Sequence, residues 1–138
     1  MRKIYLLLTL FLMPTGFLFA QEALDQAQIL QLCIDLPELQ NSYKSDQLYV
    51  MAHGVELSSE IDLSFKGKKV IFYDKEGIKS LGVSDFFLFW QFYVGDDSAK
   101  AIGQYVMNSG SEDEKSIPFE LVFQKNEDLW EIIDFKIN

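Results

Sequence analysis

His53, in Met51-Ala52-His53-Gly54-Val55, is the only histidine in the chain. Imidazole is the side chain whose unperturbed pKa lies nearest neutrality, so His53 is the first candidate general base. With a carboxylate beside it, it would serve a small lyase or isomerase. The competing roles are contact with a ligand and an ordinary structural or surface position. Cys33 is equally alone. A single thiol in an oxidising compartment can act as a nucleophile or bridge two chains, but cysteine is also among the most often buried residue types, and burial keeps it inert. Zinc would have to draw on Cys33 or carboxylates beside one histidine, and no recognisable spacing supports that. Asp96-Asp97 and Glu112-Asp113-Glu114 offer calcium its natural oxygen ligands. Neither segment has the alternating acids, central glycine and closing glutamate of a calcium loop, so both read as solvated turn acids. There is no Gly-x-Ser-x-Gly elbow, no phosphate-cradling glycine loop and no dinucleotide fingerprint. No catalytic residue, metal ligand or cofactor is assigned.

The remaining candidate is aromatic. Between Phe86 and Val94, six rings (Phe86, Phe87, Phe89, Trp90, Phe92 and Tyr93) crowd into eight positions. As a strand, the segment places Phe87, Phe89, Gln91 and Tyr93 on one face and Phe86, Leu88, Trp90, Phe92 and Val94 on the other. Strands apolar on both faces are normally covered on both, so the segment is expected to be central. Its rings have three possible uses: core packing, a ligand pocket with Gln91, Tyr93 and Tyr105 as polar handles, or a surface for a partner protein.

The first twenty residues give these elements an address. Arg2 and Lys3 form a basic start, Ile4 to Met13 an apolar run, and Pro14 and Gly16 break a helix before the small residue Ala20. That is the pattern of an export signal cleaved after Ala20, and Gln21 rather than cysteine follows, which excludes a lipoprotein. A membrane anchor would need about 20 uninterrupted apolar residues. Cleavage removes 20 of 138 residues and leaves 118, enough for one domain with one core. Loss of two of the 12 basic side chains against 21 acidic ones takes the formal charge from −9 to −11. Nucleic acid is excluded as a partner, because phosphate backbones demand clustered Lys and Arg. The one basic cluster, Lys66, Lys68 and Lys69 about Gly67, reads as a turn. With one cysteine no internal disulfide can form, so packing must hold the exported domain, periplasmic or secreted.

The elements follow from periodicity. Gln21 to Leu36 carries apolar residues at Ala23, Ala27, Leu30 and Ile34, widened by Leu24, Ile29, Leu32 and Cys33, which predicts a helix with one buried side. Asp25 and Gln28 are spaced as a capping pair, and Pro37 predicts the end. Strands are expected at 48–55 and, as a hairpin turning at Lys66-Gly67-Lys68, over 61–73. Asp74 to Gly77 reads as a turn. Phe86–Val94 turns through Gly95-Asp96-Asp97-Ser98 into 99–107, and a polar loop leads to the strands 117–124 and 129–137, joined at Asn126-Glu127-Asp128.

The meander ending in Phe119-Glu120-Leu121-Val122-Phe123-Gln124-Lys125, a polar turn and Leu129-Trp130-Glu131-Ile132-Ile133-Asp134 resembles the C-terminal part of NTF2-like (nuclear transport factor 2-like) domains, over roughly residues 86–137. The resemblance implies an α+β fold in which an N-terminal helix packs on a strongly curved antiparallel sheet, a cone or roll of NTF2-like or cystatin-like kind. The cone of such domains holds a substrate, a hydrophobic ligand or nothing. No acid or acid and histidine pair of the enzymatic members matches positions here, so no catalytic residue carries over. The expectation is a small exported non-catalytic domain that binds a small apolar ligand or a partner protein through its sheet. Phe87, Phe89, Gln91, Tyr93, Tyr105 and His53 are its candidate contacts. The alternatives are an interaction module with a packed core and acidic surface, and the lyase or isomerase built on His53.

Overall fold

The computed structural model describes residues 16–52 and 54–138. Residues 1–15, which hold the basic and apolar regions of the expected export signal, lie outside the described residues, as does His53.

Helix α1, Gly16–Ile34, begins five residues before the expected Gln21 and passes through Ala20 without a break. Its buried side holds Ala23, Ile29, Leu30, Cys33 and Ile34, while Leu24 is exposed. Two polar residues, Asp25 and Gln26, are buried with that stripe. Asp25 therefore does not cap a helix, because it lies well inside one. Pro37 opens a further helical turn, α2 (Pro37–Gln40), since its missing N–H and fixed φ suit a first turn.

The strands are β1 (Tyr49–Ala52), β2 (Ser64–Phe65), β3 (Lys68–Lys69), β4 (Ile71–Tyr73), β5 (Phe86–Val94), β6 (Ser98–Met107), β7 (Lys115–Asn126) and β8 (Leu129–Ile137). Six of them form one sheet in the order β4-β1-β5-β6-β7-β8. The chain is thus α+β, but the sheet is mixed rather than antiparallel, because β1 pairs parallel with both β4 and β5. The expected hairpin over 61–73 is shorter than predicted. Only Ser64-Phe65 and Lys68-Lys69 pair, through a turn in which Lys66 (φ 47°) and Gly67 (φ 79°) take the left-handed conformation that a two-residue connection requires. Ile71–Tyr73 leaves the hairpin for the sheet edge, where its apolar residues gain a neighbour in β1.

Parallel neighbours need a crossover, and the segment read as a turn supplies it. Asp74 Oδ1 accepts the Gly77 N–H at 2.7 Å and starts helix α3, Lys75–Ser80. Replacing Asp74 with Ala is expected to cost about 1 kcal/mol, the usual value of an N-cap, measurable as a lower denaturation midpoint. Helix α3 lies against β1 and β4 on the side of the sheet opposite α1, and Ile78 joins Met51, Phe86 and Val106 in a small second core.

The main core lies between α1, α2 and the sheet. Phe87, Phe89, Ala99, Ala101, Tyr105, Phe119, Leu121, Phe123 and Trp130 meet Ile29, Leu30, Cys33, Ile34 and Leu39 there. The three C-terminal strands run antiparallel over long registers, unbroken between β6 and β7 and shifted once between β7 and β8, where Ile133 is the extra residue.

Candidate functional site

The register of β5 and β6 carries an irregularity between Phe89 and Gln91. Phe89 faces Gly103 and Gln91 faces Ile102, which leaves Trp90 as an extra residue. One inserted residue exchanges the faces of everything that follows it. The face toward α1 therefore holds Phe87, Phe89, Phe92 and Val94, whose cross-strand partners Tyr105, Ala101 and Ala99 are core residues. Gln91 and Tyr93 fall on the opposite face, with Phe86 and Leu88. This corrects the expectation that Phe87, Phe89, Gln91 and Tyr93 share one face. A strict period of two holds only where no bulge intervenes.

The helix-side face is sealed. Phe87 and Phe89 are fully buried, stacked with centroids 6.2 Å apart, and both meet Phe119. Tyr43 closes the end of this cluster, its ring 5.0 Å from that of Tyr105 and its hydroxyl donating to the Ile34 carbonyl at 2.8 Å. Phe87 and Phe89 are thus core residues. Cys33 lies in the same interior, where burial pushes its thiol pKa well up and keeps it protonated.

The opposite face divides in two. Under α3, Phe86 and Leu88 are covered. Beyond it the sheet is bare: Trp90 is 44% and Tyr93 63% exposed. The expectation that β5 is covered on both faces holds only for its first half, because the six-residue α3 is too short to reach further.

Between α3, the segment that follows it and the loop at Ser109-Gly110 runs a groove of about 390 Å³. Met51, Ile78, Val83 and Phe86 make its apolar floor, and Lys75 and Lys79 stand on its rim. Their spacing of four puts both ammonium groups on one side of α3. Among the described residues neither forms a salt bridge, whereas Lys44, Lys66, Lys100 and Lys125 each have a carboxylate partner. The volume lies in the lower part of the range of small-molecule sites. None of Phe87, Phe89, Gln91, Tyr93 and Tyr105 lines it, since its floor combines a strand position (Met51), a residue just past the expected turn (Ile78) and the first residue of β5.

The segment Glu112-Asp113-Glu114 serves its own loop. Glu114 accepts the Gly110 N–H at 2.7 Å, and among the described residues no three His, Cys, Asp or Glu side chains gather as a metal site.

These features define the class of protein: a mixed α+β domain with a helix packed on one face of an open six-stranded sheet and a short helix bordering an apolar groove on the other. No family model, no curated protein and no solved structure matches the chain, so this class rests on its own geometry.

Proposed function

We propose that the chain is an exported, non-catalytic domain that binds a small apolar ligand on its sheet, in the groove between α3 and the start of β5. The observation that supports this most is the pairing of an apolar floor with two lysines that form no salt bridge among the described residues, in a chain whose formal charge is −9. Such a site favours a ligand with an apolar body and an anionic end. Burying about 250 Å² of apolar ligand surface contributes about 6 kcal/mol, so affinity in the tens of micromolar is the upper range expected. Export after cleavage at Ala20 to the periplasm or beyond belongs to the same reading, supported by the residues that precede it. So does the finer architecture, an NTF2-like or cystatin-like cone, supported by the order of elements and by bulges in β5 and β8, which bend strands.

The test uses the mature chain with 1-anilinonaphthalene-8-sulfonate, an apolar anion. Saturable fluorescence, displaced by decanoate but not by decyltrimethylammonium, is expected. The double replacement Lys75→Glu and Lys79→Glu should weaken it at least tenfold with the denaturation midpoint unchanged. Absence of binding by the folded chain, or indifference to the charge reversal, refutes the reading.

A second reading draws on bare Trp90 and Tyr93: an interaction module whose acidic surface meets a basic protein. Its complex would weaken steeply between low and physiological ionic strength, whereas an apolar ligand would respond far less.

A further inference from the structure

Tyr105 stands apart from the rest of the aromatic core. The residue is 2% exposed, and its ring is wedged between Tyr43 and Phe87, with centroids 5.0 and 4.9 Å away. Yet among the described residues its hydroxyl has no hydrogen-bond partner, while that of Tyr43 is satisfied by the Ile34 carbonyl. Among the described residues no completely enclosed polar side-chain atom lacks a partner, so the Tyr105 oxygen is the part of that residue that reaches outward. It reaches a cleft of about 320 Å³ at the end of the sheet, beside the α3 groove and sharing Gly82 and Val83 with it. Packing fixes the ring, so the hydroxyl cannot turn away to find solvent elsewhere. A nearly buried polar group held at a cleft floor without a partner needs a water or a ligand there.

The walls define what that ligand is. Asp85 Oδ1 accepts the Asn108 N–H at 3.0 Å and the Ser84 hydroxyl at 3.1 Å, and its other oxygen lies 3.6 Å from Lys44 Nζ. Lys44 also donates to the Asn108 side-chain carbonyl. The ammonium and the carboxylate therefore neutralise each other, and a charged ligand would have to separate them. A hydroxyl group, donor and acceptor at once, can instead bond to both while leaving the pair in place. Ser45 and Gln47 add further polar edges, and Tyr49 adds a half-buried ring against which a C–H face can pack. Burial first, and the nearby Asp85 charge second, raise the Tyr105 pKa, so the phenol stays a proton donor.

We propose that this cleft binds a small neutral polyhydroxy compound, a monosaccharide or cyclic polyol, with the Tyr105 hydroxyl and the Lys44–Asp85 pair as its hydrogen-bonding groups. The cleft adjoins the α3 groove and shares Gly82 and Val83 with it, but none of the hydrogen-bonding groups used here lines the groove.

The experiment titrates isotopically labelled mature chain with D-glucose, D-galactose and myo-inositol, read by amide chemical shifts. Saturable shifts at Ser84, Asp85 and Tyr105 with at least one of the three are expected. Tyr105→Phe should weaken that binding about five- to tenfold, the value of one hydrogen bond, with an unchanged denaturation midpoint because the lost hydroxyl bonds to no protein group among the described residues. Ser45→Tyr, which narrows the mouth from an exposed position, should abolish it. Succinate and ethanolamine serve as charged probes. Silence with all three polyols to tens of millimolar, binding unaffected by Tyr105→Phe, or shifts produced only by a charged probe would each overturn the assignment.

Discussion

Gly103→Ala is expected to destabilise the domain by about 3–4 kcal/mol, which approaches the whole stability of a small domain. A Cβ built at Gly103 lies 2.2 Å from the Leu88 carbonyl oxygen and 3.1 Å from the Phe89 Cα. Both are backbone atoms of the neighbouring strand, so no rotamer change can relieve the clash. Either β5 and β6 part or the bulge moves. The approach is close because Trp90 is squeezed out between Phe89 and Gln91 just there. Gly103 also sits between Phe89 and Phe119, its partners in β5 and β7, whose rings meet across it with centroids 5.7 Å apart. Denaturant unfolding measures the loss, and Gly103→Val should remove most folded protein at ambient temperature. An alanine variant within about 0.5 kcal/mol of the parent would show that the two strands can separate at no cost. Since the bulge decides which rings point outward, the same variant should also change the accessibility of Trp90.

The second large effect belongs to Asp25. Its Oδ1 accepts both Lys125 Nζ and Trp130 Nε1 at 3.1 Å, from the far end of the chain, and the Lys125 ammonium lies 5.6 Å from the centroid of the Trp130 ring. Asp25 thus ties α1 to β7 and β8. The side chains of Asp25 and Lys125 are only 12% and 16% exposed, so solvent screens the pair weakly. Asp25→Ala leaves a partly buried ammonium and an indole N–H without an acceptor, and about 3 kcal/mol of destabilisation is expected. Asp25→Asn keeps an acceptor for the indole and should cost roughly half of that. Removing Lys100 or Glu120, whose 3.1 Å pair lies at the surface, should cost under about 1 kcal/mol. In a Trp90→Phe background the remaining tryptophan reports on Trp130 alone, and its emission should shift to the red in Asp25→Ala. A loss no larger than that of the surface pair would mean that packing alone holds the hairpin to the helix.

Both predictions concern residues whose importance only partly shows in one dimension. Gly103 sits inside an otherwise regular strand, and an isolated glycine there signals a bulge or a close backbone approach. Asp25 and Gln26 interrupt the apolar stripe of α1, and a polar residue on a buried face implies a distant partner. For Gln26 that partner is the segment after β1, where it donates to the Glu56 carbonyl and accepts the Ser58 N–H. Neither partner can be named from sequence, because nothing local links Asp25 to residues 125 and 130. The groove was hidden for a related reason. Asp74 with Gly77 satisfies a turn and a helix N-cap equally well, and the choice in favour of a helix comes from Ile78 packing on Met51 and Phe86.

What the sequence determined by itself is whatever depends on near neighbours and on composition: an amphipathic helix before Pro37, three long C-terminal strands joined at polar turns, a turn at Lys66-Gly67-Lys68, and a net acidic charge. These follow from side-chain period, backbone preference and charge, all properties of short stretches. The tertiary structure alone decided the parallel pairing of β1, the exchange of faces at Trp90, and the meeting of Tyr105 with Lys44 and Asp85 at one cleft. Each depends on which distant strand lies alongside and where one extra residue is accommodated, and that is settled by the packing of the whole core.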